Sequence, residues 1–338
     1  MDLNIIWFIL IGVLFAGYGV LDGFDLGVGA LHLLHKGDHQ RRISINSIGP
    51  VWDGNEVWLV TGGGALFAAF PEVYATLFSG FYVAFHLFLA ALIFRAVALD
   101  FRSKRQSPAW RATWDVAFSV ASIAAAILLG VTIGNIAWGI PIDANGEFAG
   151  SFFGLLHPYA LLAGVTTLAL FMMHGSIYLH MKTEGEVQDR VRTWIRPCII
   201  FFILSYSLLA AATLIYVPRV SETVRENPVL FLVATMSIIA IANIPREIHN
   251  QRHGWAFLSS SATLVLLMAL FALTMFPNLL YSQPNPEYSL NAFNHASSQK
   301  TLGIMLTIAV IGMPIVISYT VCIYWIFRGK VKINDMSY

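Results

Sequence analysis

Carboxylates stand in this sequence where lipid-facing helices rarely carry them. Asp22 and Asp25 interrupt GYGVLDGFDLGVG at residues 17–29, and Asp53, Asn55 and Glu56 interrupt SINSIGPVWDGNEVWLVTGGGALFAAF at residues 44–70. An ionisable group inside an apolar span is a functional-site hypothesis by default, because its desolvation must be compensated. Asp22 and Asp25 are three residues apart and share a neighbouring helix face. Such a pair suits proton transfer or cation binding. The plainer alternative is that the acids hydrogen-bond across a helix contact and only fix packing. A buried carboxyl without a cation tends to keep its proton, and can pass it on where water or hydroxyls bridge.

Composition says what must position these groups. The 338-residue chain is 57% hydrophobic and 12% charged, against about 25% charged in globular domains, and its mean hydropathy is +0.69. Apolar runs recur from end to end, so the expected fold is all-α and polytopic in a membrane. A net charge of +1 argues against nucleic-acid binding. With about 20 residues per span, the chain divides into about nine, at roughly 5–34, 44–70, 73–99, 113–139, 153–180, 195–217, 228–245, 254–277 and 301–327, in one integral-membrane domain over 1–338. The first run has no preceding Lys or Arg and no small-residue cleavage site, so it reads as a retained helix. A tight corner at Pro71-Glu72 joins the second and third.

Basic residues orient the spans. Segments 35–43, 100–112, 181–194 and 246–253 and the C-terminal tail hold nearly all the Lys and Arg outside the spans; the opposite segments hold only Arg219, Arg225 and Lys300. The positive-inside rule then puts the N-terminus outside and the C-terminus inside, which requires an odd number of spans. The longest outer segment, 278–300, reads as a loop rather than a domain. The short inner segments leave no room for a nucleotide site, and no P-loop or Rossmann fingerprint is present. At 1.5 Å per residue, Asp25 and Asp53 each lie on the order of 15 Å from the inner ends of their spans. Asp22, Asp25, Asp53 and Glu56 can therefore share one depth, as a polar track opening toward the cytoplasm.

Other residues carry weaker signals. Gly19, Gly23 and Gly27 recur every fourth position, a doubled small-xxx-small pattern that lets another helix approach. Gly62, Gly63 and Gly64 weaken a helix and suggest close packing, a kink or a cofactor edge. His86, His157 and His174 fall in or near spans and could be haem axial ligands, but they share no depth and read better as hydrogen-bonded core histidines. His35, His39, His249 and His253 read as solvated. Arg95 could snorkel or pair with a buried acid. Trp114-Asp115 and Asn135 read as interface anchors or helix caps. Cys198 and Cys322 fit no metal spacing and read as buried hydrophobes. No metal site is expected.

LDGFDLGVG (21–29), INSIGPVWDGNEVWLVTGGGALFAAFP (45–71), SGFY (79–82) and FRSK (101–104) closely resemble subunit II of the cytochrome bd-type quinol oxidases, and HPYALLAGV (157–165) is a further similar segment. The resemblance is dense over about residues 10–110 and weaker but continuous beyond. It implies two four-helix bundles plus a peripheral helix. It also implies a pseudo-symmetric heterodimer with a haem-bearing subunit I, which carries haem b558, haem b595 and haem d, and in some members a small single-span accessory subunit. Subunit II would ligate no haem and could hold a structural quinone. The complex would sit in a bacterial or archaeal cytoplasmic membrane, oxidise quinol and reduce dioxygen to water with cytoplasmic protons, building a proton-motive force. The resemblance makes Asp53 the main proton-conducting residue and Asp25 the second, with Asp22, Glu56, Trp52 and Asn55 shaping the path. Two readings compete with it: a stand-alone proton-coupled transporter, which buried acids and glycine-rich spans also suit, and a purely structural membrane subunit.

Overall fold

The computed structural model describes residues 2–333. The described residues are mainly helical: α1 Leu3–Leu31, α2 Gly37–Ile48, α3 Trp52–Ala69, α4 Pro71–Gly80, α5 Tyr82–Phe101, α6 Pro108–Trp138, α7 Pro158–Lys182, α8 Gly185–Tyr216, α9 Pro218–Glu226, α10 Pro228–His249, α11 His253–Met275 and α12 Gln299–Ile326. Among the described residues, eight helices are long and apolar enough to cross a membrane: α1, α5, α6, α7, α8, α10, α11 and α12.

The expected second span, 44–70, is not one helix. Pro50 has no N–H to donate and cannot continue α2. Val51 leaves helical geometry at φ −126°, ψ −24°, and α3 begins afresh at Trp52. The acids thus sit in the first turns of a new helix, where a negative charge meets the positive end of the backbone dipole. α3 has 18 residues, a length of about 27 Å, but its three polar residues keep it out of the apolar set. The expected third span, 73–99, likewise divides at Phe81 into α4 and α5, and Pro71 opens α4 at its first position. Expected inner segments are also more helical than loops: α8 begins at Gly185 and α10 continues to His249.

α1 runs through the middle, packed on α3, α6, α7 and α11. Its approach to α7 is backbone on backbone: a Cβ at Gly27 would lie 1.8 Å from the Phe171 carbonyl oxygen, and one at Gly175 would lie 2.6 Å from Gly27 C. Gly23 admits the Phe171 ring, and Gly17 admits Trp58 of α3. At the His32 end of α1, Asp115 of α6 gathers His32 Nε2 at 2.6 Å, Arg41 Nη1 at 2.9 Å and Arg102 Nε at 2.5 Å. Asp38 joins this network by accepting from Arg102 and Arg111 at 2.8 and 2.7 Å. At the opposite end, β1 (Asn278–Leu280) pairs antiparallel with β2 (Leu290–Asn291) and ties down the long loop.

α12 lies at the edge. Leu302 is its one buried residue, and the Leu302 carbonyl accepts from Trp7 Nε1 at 3.0 Å. Gln299 donates to Asn4 at 2.7 Å. Cys322, expected to be buried, is exposed on this helix, whereas Cys198 is buried.

Candidate functional site

The acids of α1 and the start of α3 meet a cation from α5. Arg95 is fully buried and grips Asp22 with two guanidinium nitrogens; Nη1 donates to Oδ2 at 2.8 Å, and Nη2 donates to Oδ1. Glu56 Oε1 lies 3.4 Å from Nη2 as a looser partner, its side chain 20% exposed. The two readings left open for Arg95 are thereby resolved: it does not snorkel, it pairs. A bidentate Arg–carboxylate contact is the strong form of such a pair, and with both members buried neither can be removed without leaving an uncompensated charge.

Asp25, one turn along α1, has no such cation in contact. It is 0% exposed, accepts one hydrogen bond to Oδ2 from Asn55 Nδ2 at 2.8 Å, and leaves Oδ1 buried without a partner. Asn55 Nδ2 also donates to the Leu21 carbonyl at 3.0 Å, and Asn55 Oδ1 accepts from the Tyr324 hydroxyl of α12 at 2.9 Å. The amide thus joins three helices. Tyr18 is buried with an unpartnered hydroxyl in the neighbourhood of Asp22.

Asp53 is placed differently. It lies in the first turn of α3 and is exposed, as are Gly54, Val57, Val60, Thr61, Gly64 and Phe67 along the same side of that helix. Glu56 follows Asp53 by three residues, so the two share a face. Asn55 meets Asp25 directly, so the start of α3 and the acids of α1 are level, but the helix break at Pro50 puts them there and not ten residues of continuous helix. Trp52 is half-buried and packs on the cluster that includes Ile45, Leu99 and Phe118.

Of the glycines singled out, Gly23 and Gly27 make the close approaches, and Gly19 meets nothing nearer than 4.0 Å. Gly62 faces the Phe15 ring at 3.1 Å, while Gly63 and Gly64 have nothing within 4 Å of a built Cβ. Close packing within this chain therefore does not account for the last two.

The histidines also sort themselves. His174 is fully buried with both ring nitrogens engaged, Nδ1 with Ser260 Oγ at 2.7 Å and Nε2 with the Val20 carbonyl at 3.0 Å. His86 is exposed and bonds only the Tyr82 carbonyl of its own helix, so it is not a core residue. His157 caps α7 by accepting from Ala160 N–H at 3.4 Å. His35, expected to be solvated, is 2% exposed with both ring nitrogens unpartnered. Burial, with His32, Arg190 and Arg41 nearby, drives its protonation down from the usual range to about 3. Asp115, expected to cap a helix, is 1% exposed at the centre of the ion network. α6 begins at Pro108, with Ser107 capping it, so Asp115 falls two turns inside.

A cavity of about 730 Å³ lies beside the cluster. Its walls include Phe8, Phe15, Phe85, Phe171 and Phe271, and Tyr18 is among its few polar-tipped neighbours.

A multi-helix membrane protein with a carboxylate–arginine cluster hung on a broken helix is the class that this fold and site define. The chain belongs to the family described as cytochrome bd terminal oxidase subunit II, whose sequence profile matches residues 3–327. It is 37% identical to the cytochrome bd-I ubiquinol oxidase subunit 2 of Escherichia coli (strain K12), over 99% of this chain and 97% of that one. It is 34% identical to the cytochrome bd ubiquinol oxidase subunit 2 of Bacillus subtilis (strain 168), over 100% of this chain and 99% of that one. The fold resembles a chain of the bd oxidase from Geobacillus thermodenitrificans, with TM-score 0.80 at 17% identity, covering 98% of this chain and 100% of that one.

Sequence reasoning missed Tyr324 and Tyr18, because an aromatic residue in an apolar helix carries no signal until its neighbours are known. It also missed Gly175, the partner of Gly27. For Asp115 a signal was present: Ser107-Pro108 is a helix start.

Proposed function

We propose that this chain is the haem-free subunit II of a bd-type quinol:dioxygen oxidoreductase, where it supports assembly and supplies protons to the oxygen-reducing site of a haem-bearing subunit I. In this reading α1, α3, α5 and α6 form one four-helix bundle, α7, α8, α10 and α11 the other, and α12 is peripheral. Counting α3 gives about nine spans, with the N-terminus outside and the C-terminus inside a bacterial or archaeal cytoplasmic membrane.

The observation that carries the proton role is Asp25: a fully buried carboxyl with one unpartnered oxygen and no cation in contact, linked through Asn55 to the start of α3. An ionised carboxylate so placed would be costly, so Asp25 holds a proton that it can exchange. Asp53, at the accessible edge of the same turn, takes up protons and hands them on by way of Glu56. Asp22, committed to Arg95, polarises the cluster and does not relay. The open side of α3, with Asp53, Gly54 and Gly64, is turned toward subunit I.

The cavity beside Tyr18 suits a structural quinone: its wall is apolar and its volume is about 730 Å³. The quinone there would fill space and carry no electrons for this chain.

The test is Asp53→Asn in the purified complex. Turnover with quinol and oxygen is expected to fall by roughly 10² or more, the scale for losing a proton-transfer group, while subunit I co-purifies and the haem spectrum stays normal. A collapsed haem spectrum would make Asp53 structural. A stable homomer that transports protons or solutes alone would favour the transporter reading.

A further inference from the structure

The last helix reaches into the acid cluster at one point. α12 is held at its start by the Trp7–Leu302 and Gln299–Asn4 hydrogen bonds, packs on the body through Met305, Leu306 and Ala309, is exposed from Pro314 to Tyr319, and meets the body again at Tyr324. There the Tyr324 hydroxyl donates to Asn55 Oδ1 at 2.9 Å, and Asn55 Nδ2 donates to Asp25 Oδ2 at 2.8 Å.

We propose that Tyr324 is a positioning residue for Asp25: its hydroxyl, acting through the Asn55 amide, sets the strength and direction of the only hydrogen bond that Asp25 Oδ2 receives among the described residues. The proposal rests on the reading of Asp25 as a proton-exchanging group.

The physical argument has two parts. First, the Asn55 side chain is held from both ends. The Leu21 carbonyl can only accept, so it holds the NH2 group toward α1, and the tyrosine can satisfy the amide oxygen only by donating. Asn55 is 2% exposed, so an amide oxygen that loses its donor finds no bulk water in exchange and must move or stay unsatisfied. Second, the bonds run in one direction, from hydroxyl to amide oxygen and from amide nitrogen to carboxyl oxygen. Donation to the oxygen of an amide polarises its N–H groups, and a chain of this kind strengthens each member in a low-dielectric interior. The other charged or titratable groups near Asp25 are Asp22 on its own helix, Glu56 on α3, Arg95 on α5 and Tyr178 on α7. None of these donates to Asp25. Tyr324 therefore acts on a proton-exchanging group without touching it, from a helix otherwise at the edge of the fold.

Tyr324→Phe in the full complex tests this, since it deletes one oxygen and keeps the ring. The infrared band of the Asp25 carboxyl is identified by its loss in Asp25→Asn. In Tyr324→Phe that band is expected to move, to higher wavenumber for a protonated carboxyl whose carbonyl oxygen receives a weaker hydrogen bond from Asn55. Turnover is expected to fall roughly three- to tenfold, the range for one lost hydrogen bond, with subunit I and the haem spectrum retained. An unmoved Asp25 band overturns the proposal whatever the turnover. Loss of assembly also overturns it, because the hydroxyl would then be an anchor of α12. A shifted band with normal turnover overturns it if Asp25→Asn is impaired. If Asp25→Asn itself turns over normally, the shifted band leaves the positioning intact and the proton-route reading fails instead.

Discussion

Two carboxylates on one helix have opposite circumstances. Asp22 is gripped by Arg95, and Asp25, one turn away, has a single amide donor and an unpartnered oxygen. The spacing of the two acids could be read from the sequence; the difference between them could not, because it depends on Arg95, 73 positions away, and on Tyr324, 269 positions from Asn55. At the same scale, His35 makes a pH prediction. Its protonation is pushed down to about 3 in the fold, against about 6.5 in an unfolded chain. The unfolded chain therefore binds the extra proton between those values, and stability falls as pH drops below about 6.5. Thermal unfolding of the complex from pH 7 to 5 should show this decline, and His35→Asn should flatten it. An unchanged slope would mean that His35 is hydrated and titrates normally.

At the scale of elements, three features position the cluster: the break at Pro50, the glycine crossing of α1 with α7, and the Asp115 network. Replacing Asp115 by Asn leaves Arg41, Arg102 and His32 without their common anion, and should cost about 3–5 kcal/mol, as when one partner of a buried ion pair is lost. The measurement is the yield and melting temperature of the assembled complex; wild-type values would show that the network is solvated and dispensable. Gly27→Ala would put a methyl group 1.8 Å from the Phe171 carbonyl oxygen. Because the obstacle is backbone, the two helices must separate, at a cost of about 3 kcal/mol, the upper end of the overpacking range, and the complex should accumulate poorly; normal yield would mean that the crossing yields easily. The spacing of Gly23 and Gly27 marks this face of α1 in the sequence, but Gly19, at the same spacing, makes no close approach. The break at Pro50 was harder to read, because the apolar residues on either side continue the helical pattern across it. Only the missing N–H of Pro50 marked the point, and its effect on Asp53, turned to the open side of α3, appears once the helix restarts.

For the whole molecule, long apolar runs made the membrane class legible, and each of the eight apolar helices falls on one of them, α5 on the later part of 73–99 only. The runs could not tell which sides pair with each other and which remain open. That information lies in surfaces such as the α3 stripe of Asp53, Gly54, Thr61 and Gly64, whose counterpart belongs to another chain in the proposed complex. On the proposed reading, this subunit brings protons to chemistry performed next door. Proton uptake during a single reaction of the reduced complex with oxygen tests it most directly, followed with a pH dye on the cytoplasmic side of reconstituted vesicles. The account predicts that uptake slows by roughly 10² or more in Asp53→Asn and Asp25→Asn while the haem spectrum stays that of the wild type. Uptake at the wild-type rate in both variants would contradict it.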